Sequence, residues 1–150
     1  MSTRKSEDYL TCFKHRFEHC RILLALSEEQ NGAIAQNRLD DLLSIIGRKQ
    51  RVLNLMEEQK QSHPELWENW QADRDALPGD QRNRCEQLLA ETEAILASLV
   101  QLEQQGTTQL QINRDKTQQQ LQEISRSMQA NDAYYDQTDS KTHRYLNVGR

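Results

Sequence analysis

From Asp80 to about Ala133 this sequence reads as one almost unbroken helix carrying a single stripe of apolar or small residues. The stripe runs Leu88, Thr92, Ile95, Leu99, Leu102, Gly106, Leu110, Asn113, Thr117, Leu121, Ile124 and Met128. From Leu99 onward its steps are three, four and four, so Leu99, Leu110 and Leu121 repeat every eleven residues, as do Leu102, Asn113 and Ile124. Such a repeat keeps a seam nearly straight or gives it a slight right-handed supercoil. A helix of this length cannot bury its own stripe, and large apolar groups thin out in the second half at Gly106, Asn113 and Thr117. Preceding helices are expected to cover part of it and a partner the rest. Val100 and Ile112 fall off the stripe, and the sequence does not decide whether they form a second, partner-facing seam.

With 150 residues the chain fits one domain with a real core. Two prolines, five glycines and an abundance of Leu, Gln, Glu, Arg and Ala describe long helices. A net charge of −4 gives no electrostatic invitation to nucleic acid, because Arg48, Lys49 and Arg51 are balanced by Asp40, Asp41, Glu57 and Glu58. The polar start, Met1 to Ser6, and a longest apolar run of only Ile22 to Leu26 predict neither a signal peptide nor membrane insertion. Cys12, Cys20 and Cys85 are an odd set, and Cys12 and Cys20 would stand about 12 Å apart along one helix, too far for a disulfide. Free thiols and a cytoplasmic setting are expected.

Before the long helix, Tyr9, Phe13, Phe17, Cys20, Leu24, Ser27, Asn31 and Ile34 recur at helical spacing and predict a first helix from near Ser6 with one buried face. A break near Gln36 and Asn37, with Asn37 as N-cap, opens a second helix whose expected face is Leu39, Leu42, Leu43, Ile46, Gln50, Leu53 and Met56. So short a break predicts antiparallel packing. Ser62, His63, Pro64 and Glu65 read as a capping box opening a short helix through Trp67 and Trp70, at least one of which should staple it to the bundle. Pro78 and Gly79 then stop it and Asp80 caps the long helix. The fold class is all-α: an antiparallel helical bundle or coiled coil of two N-terminal helices, a short helix and one long C-terminal helix. Residues 1–133 form the bundle domain, and 134–150, where the apolar period is lost, a flexible tail.

No catalytic constellation stands out. Cys12, His15 and His19 share a helix at metal-binding spacing, but zinc needs four ligands and no second pair is suggested. No Glu-x-x-His pair, phosphate-binding glycine loop, nucleophile elbow or zinc-protease motif occurs. The chain is therefore expected to be no enzyme and to hold no cofactor or metal. Gly106, costly inside a helix by about 1 kcal/mol against alanine, marks either a close helix crossing or a bend.

The stretch from Ile22 to Gln59 reads ILLALSEEQNGAIAQNRLDDLLSIIGRKQRVLNLMEEQ. A Leu/Glu-rich first helix, a short polar break, Leu-Asp-Asp-Leu-Leu, Lys49-Gln50 and Leu53 resemble the FlgN-type flagellar export chaperones. The later order of short segment, long helix and tail is also similar. The resemblance implies a small cytoplasmic helical chaperone that binds C-terminal amphipathic helices of hook-filament junction proteins. Such a chaperone delivers them to the type III export gate, preventing premature association. Recognition would be helix-in-groove, and the exposed-seam argument places the groove along Leu99, Leu102, Leu110, Leu121, Ile124 and Met128. In the family a late aromatic residue is associated with gate docking, for which Tyr134, Tyr135 and Tyr145 are the candidates. The alternative is a structural coiled-coil scaffold, a homodimer joined through the long helix. A weaker one is an adaptor using Arg144 to Arg150 as a peptide ligand.

Overall fold

Four α-helices account for almost all of the described chain: α1 Ser2–Ala35, α2 Leu39–Ser62, α3 Pro64–Asp73 and α4 Gly79–Leu146, with a 3-10 turn Arg74–Ala76 before α4. The computed structural model describes residues 2–146, with side chains placed for 5–136. The all-helical class and the order of the elements match the sequence expectation. Two compact units divide the chain, residues 1–109 and 110–150, upstream of the division expected at 133/134.

α1 starts at Ser2 rather than near Ser6; Ser6 lies inside it, buried, and its hydroxyl donates to the Gln81 side-chain oxygen of α4. At the other end, Asn37 closes α1 instead of opening α2. Its φ of 54° places it in the left-handed region, where its N–H donates to the Ile34 carbonyl at 3.2 Å while the Arg38 N–H reaches back to Ala33 at 2.9 Å. These two bonds form a Schellman motif, and asparagine is the residue after glycine that best tolerates the conformation. The N-cap of α2 is Arg38, which makes no side-chain capping bond; Asp40 and Asp41 in the first turn favour the positive helix end.

The direction of the helices follows from their cross-links. Arg48 reaches Glu29, Lys49 reaches Gln30 and Gln59 meets His15, so α2 runs antiparallel to α1. Ser6 pairs with Gln81 and Ser27 with Glu103, so α4 runs parallel to α1. Two apolar clusters fill the first unit. One gathers Tyr9, Cys12 and Phe13 of α1, Leu66 and Trp70 of α3, Leu77 and Cys85. The other gathers Leu23, Leu26, Ala33 and Ile34 of α1 with Leu42, Ile45 and Val52 of α2.

α3 is held by its tryptophans as expected. Trp70 is buried edge-on against Tyr9 and Phe13, and Trp67 packs on Phe13 under the Arg16 guanidinium. The capping box does not form. Ser62 still belongs to the last turn of α2, where its hydroxyl bonds back to the Glu58 carbonyl at 2.8 Å, leaving His63 at the N-cap and Pro64 in the first turn. Asp80 likewise lies one residue inside α4, which begins at Gly79.

α2 is turned relative to the expected face. Leu42, Ile45 and Val52 are buried and Met56 packs beside them, whereas Leu39, Leu43, Ile46 and Leu53 are exposed. Both sets are spaced by threes and fours, and they differ by about one residue's rotation, roughly 100°. Lys49 selects between them, because its ammonium must lie inward to reach Gln30 and Glu103.

α4 continues as helix to Leu146, past the end expected near Ala133. Loss of the apolar period signals loss of burial, not of helix; no proline or glycine lies between Gly106 and Leu146 to break the backbone. Of the expected Arg144–Arg150 ligand segment, Asn147 to Arg150 lie outside the described residues.

Candidate partner-binding surface

Within the first unit the α4 seam is covered. Cys85 and Thr92 are fully buried, Leu88 and Leu89 pack on the aromatic cluster and Leu99 on the α1/α2 cluster. Thr92 satisfies its hydroxyl by donating to the Leu88 carbonyl at 2.7 Å. The cover then becomes polar. Glu103 accepts from the Ser27 hydroxyl at 2.7 Å and from Lys49, whose ammonium also donates to Gln30 at 2.9 Å. One charged joint thus ties α1, α2 and α4. Burial works to raise the Glu103 pKa, but the bonds from Lys49 and Ser27 outweigh it and hold the carboxyl below its ordinary value.

One turn on, α1 and α4 come close together. Asn31 donates to the Leu102 carbonyl at 2.9 Å, and a Cβ on buried Gly106 would stand 2.5 Å from the Asn31 Oδ1. Gly106 therefore serves a close crossing, the first of the two roles open to it from sequence. Leu102 is half-buried there.

In the second unit the seam is open. Leu110 is 44 % exposed, Leu121 60 %, Ile124 55 % and Met128 60 %, while the intervening Asn113 and Thr117 are small and polar. Ile112, off the main stripe, is exposed too, as is Val100 in the first unit. The six residues expected to form one groove therefore divide. Leu99 is part of the bundle's own packing, Leu102 is half-covered, and Leu110, Leu121, Ile124 and Met128 are uncovered. Leu121, Ile124 and Met128 follow at three and four residues, presenting one face of the helix. The glutamines along this stretch, among them Gln111, Gln118 and Gln122, are exposed and bring no charge to that face.

Tyr134 and Tyr135 are both exposed, with ring centroids 5.9 Å apart and edge-on to one another. The side chain of Tyr145 lies outside the described residues.

The Cys12, His15 and His19 trio does not converge. Cys12 is buried in the aromatic cluster, where burial pushes its thiol up to about 11. His15 points to Gln59. His19 has its Nδ1 buried without a partner, and burial, then the nearby His15, lower its pKa. Among the described residues no three His, Cys, Asp or Glu side chains are grouped to hold a metal ion, and no helix is long and apolar enough to cross a membrane.

Two features escaped the sequence: the Lys49–Glu103 joint and the exposed face of α2. Both follow from Lys49, which lies between Ile45 and Val52 on the inward face and could have been recognised as a lysine placed in an apolar row. No protein-family model, curated protein or solved structure matches this chain.

Proposed function

We propose that this chain is a cytoplasmic export chaperone of the FlgN type. Along the open seam of α4 it would hold the C-terminal amphipathic helix of a hook-filament junction protein. The observation that carries the reading is the exposure of Leu110, Leu121, Ile124 and Met128 on one long helix that has already supplied its first half to a bundle. Exposed apolar side chains repeated in register mark an interaction face. The glutamines beside them add no charge to the docking face, and Met128 offers a side chain that adapts to different neighbours. About half of each side chain remains to be covered, contributing about 0.7–1.5 kcal/mol apiece with a similar gain from the cargo's own apolar face, against association costs of roughly 4–15 kcal/mol. Four such contacts support a reversible complex, suited to a chaperone that must release its cargo.

In this reading the cargo's apolar face lies on the seam until export, so subunits cannot associate through it. Tyr134 and Tyr135, exposed beyond the seam in sequence, are the candidates for contact with the export gate, together with Tyr145.

The test is calorimetric titration of the full chain with C-terminal peptides of hook-filament junction proteins, with flagellin C-terminal peptides as control. Saturable binding to the junction peptides, lost in the Leu110→Asp, Leu121→Asp double variant, is the expected result. Binding to neither, together with an oligomer that the same double variant disrupts, replaces this reading with a self-associating scaffold.

A further inference from the structure

α2 carries a second uncovered face inside the first unit. Leu39 is 67 % exposed, Leu43 68 %, Ile46 47 % and Leu53 45 %, so four large aliphatic side chains form one stripe down a helix whose other side is packed on α1. Three of the stripe's four residues are symmetric about Ile46, with Leu39 seven residues before it and Leu53 seven after; Leu43 lies beside them, and Gln50 is the residue an antiparallel second copy would set near it.

Its solvent-side flank is symmetric in charge. At about 100° per residue, Asp40, Gly47 and Arg51 all fall on the side of the stripe facing away from α1. Asp40 lies six residues before Ile46 and Arg51 five after, and neither makes an ion pair among the described residues. Gly47 has nothing within 4 Å of where a Cβ would be. Unlike Gly106, it serves no contact within this chain, although it weakens the middle of α2.

We infer that this face is the interface of a homodimer, in which α2 of one copy packs antiparallel on α2 of a second about a two-fold axis at Ile46. Antiparallel docking places Leu39 against the second copy's Leu53 and Ile46 against the second copy's Ile46. On the flank, Asp40 meets the second copy's Arg51 and the pair occurs twice, as a two-fold axis requires. Gly47, beside the axis, lets the two backbones approach. Parallel docking about a two-fold axis would instead put the two copies' Asp40 and Arg51 on opposite flanks, where the pair does not form. Four partly exposed aliphatic side chains per copy with their flanks make an interface near the lower end of specific complexes, roughly 1,200 Å² in total, so the dimer dissociates on dilution. This surface is separate in sequence from the α4 seam and independent of the proposed cargo.

Sedimentation of the full chain over a concentration series tests it. The expected result is a reversible dimer, weakened at least tenfold by Ile46→Glu and by Asp40→Arg, and restored when Asp40→Arg is combined with Arg51→Asp. Circular dichroism should remain helical throughout, since all three positions are exposed. The Leu110→Asp, Leu121→Asp variant should leave the dimer intact. Ile46→Cys should cross-link to its counterpart on oxidation, whereas Leu55→Cys, exposed on the far side of α2, should not. A chain that stays monomeric at all concentrations, or a dimer indifferent to Ile46→Glu, overturns the inference.

Discussion

Asn31 and Gly106 meet so closely that only hydrogen fits between the α4 backbone and the Asn31 amide oxygen. The amide nitrogen bonds to the Leu102 carbonyl, and the oxygen, without a conventional donor, faces the Gly106 Cα hydrogen, a weak contact of a kind known at helix crossings.

Glycine-to-alanine substitution should therefore have opposite signs at two helical positions. Gly47→Ala, with open space around it in the single chain, should stabilise the monomer by about 0.5–1 kcal/mol, measured at concentrations below the dimer's dissociation constant. Gly106→Ala should destabilise it by about 1–3 kcal/mol, because the methyl displaces Asn31. Urea denaturation of the two variants checks both, and Asn31→Ala added to Gly106→Ala should recover part of the loss.

The charged joint at Lys49 sets an acid dependence. Glu103 is held below its ordinary pKa, so its contribution is complete at neutral pH and is lost as the pH falls from about 5, where the unfolded chain begins to take up protons, down through the lowered folded value. Asp73, lowered first by the Tyr9 hydroxyl bond and then by Lys5, acts in the same direction at the other end of the unit. Glu103→Gln should flatten the stability profile below pH 5 while costing no more than about 1 kcal/mol at pH 7, since the carboxylate is partly solvated. Denaturation midpoints from pH 3 to 7 would show it.

Tyr9 gives the alkaline counterpart. Burial first, then its 2.7 Å bond to Asp73, raise its pKa. The folded state keeps the phenol protonated while the unfolded chain ionises near pH 10, so stability falls as pH rises through that value. Tyr9→Phe should cost about 1–2 kcal/mol at pH 7 and weaken this alkaline fall. Trp70→Ala, emptying the centre of the same cluster, should cost about 3–5 kcal/mol.

The three thiols should be silent until the chain opens. Cys12, Cys20 and Cys85 are buried, and burial raises each pKa, to about 11 at Cys12 and Cys85. Reaction with a thiol reagent at pH 8 should follow the rate of unfolding, and Trp70→Ala should accelerate it at Cys12 and Cys85.

What the sequence made legible was burial that repeats. The α1 face, the tryptophan staple and the thinning of the α4 seam beyond Gly106 could all be read because each is written in the spacing of large side chains. Single-residue geometry was not. Asn37 is a good helix opener and an equally good helix closer, and only the positive φ tells them apart. α2 offers two apolar faces about 100° apart, and the choice depends on Lys49 finding partners on two other helices, which lie 19 and 54 residues away in sequence. The exposure of Leu110, Leu121, Ile124 and Met128 agrees with the thinning seam, whereas Leu99 belongs to the bundle because the cluster between α1 and α2 covers it.

The parallel pairing of α1 with α4 also bears on how the protein is made. Its cross-links, Ser6 to Gln81, Ser27 to Glu103 and Asn31 to Leu102, each span 71 to 76 residues. A ribosome finishes the α1–α2 hairpin long before it makes the strip of α4 that completes it. Through that interval Ser6, Ser27 and Asn31 lack these α4 partners. Nascent chains stopped near Asp80 should be protease-sensitive around Tyr9 and Phe13, and chains extended past Gly106 should not.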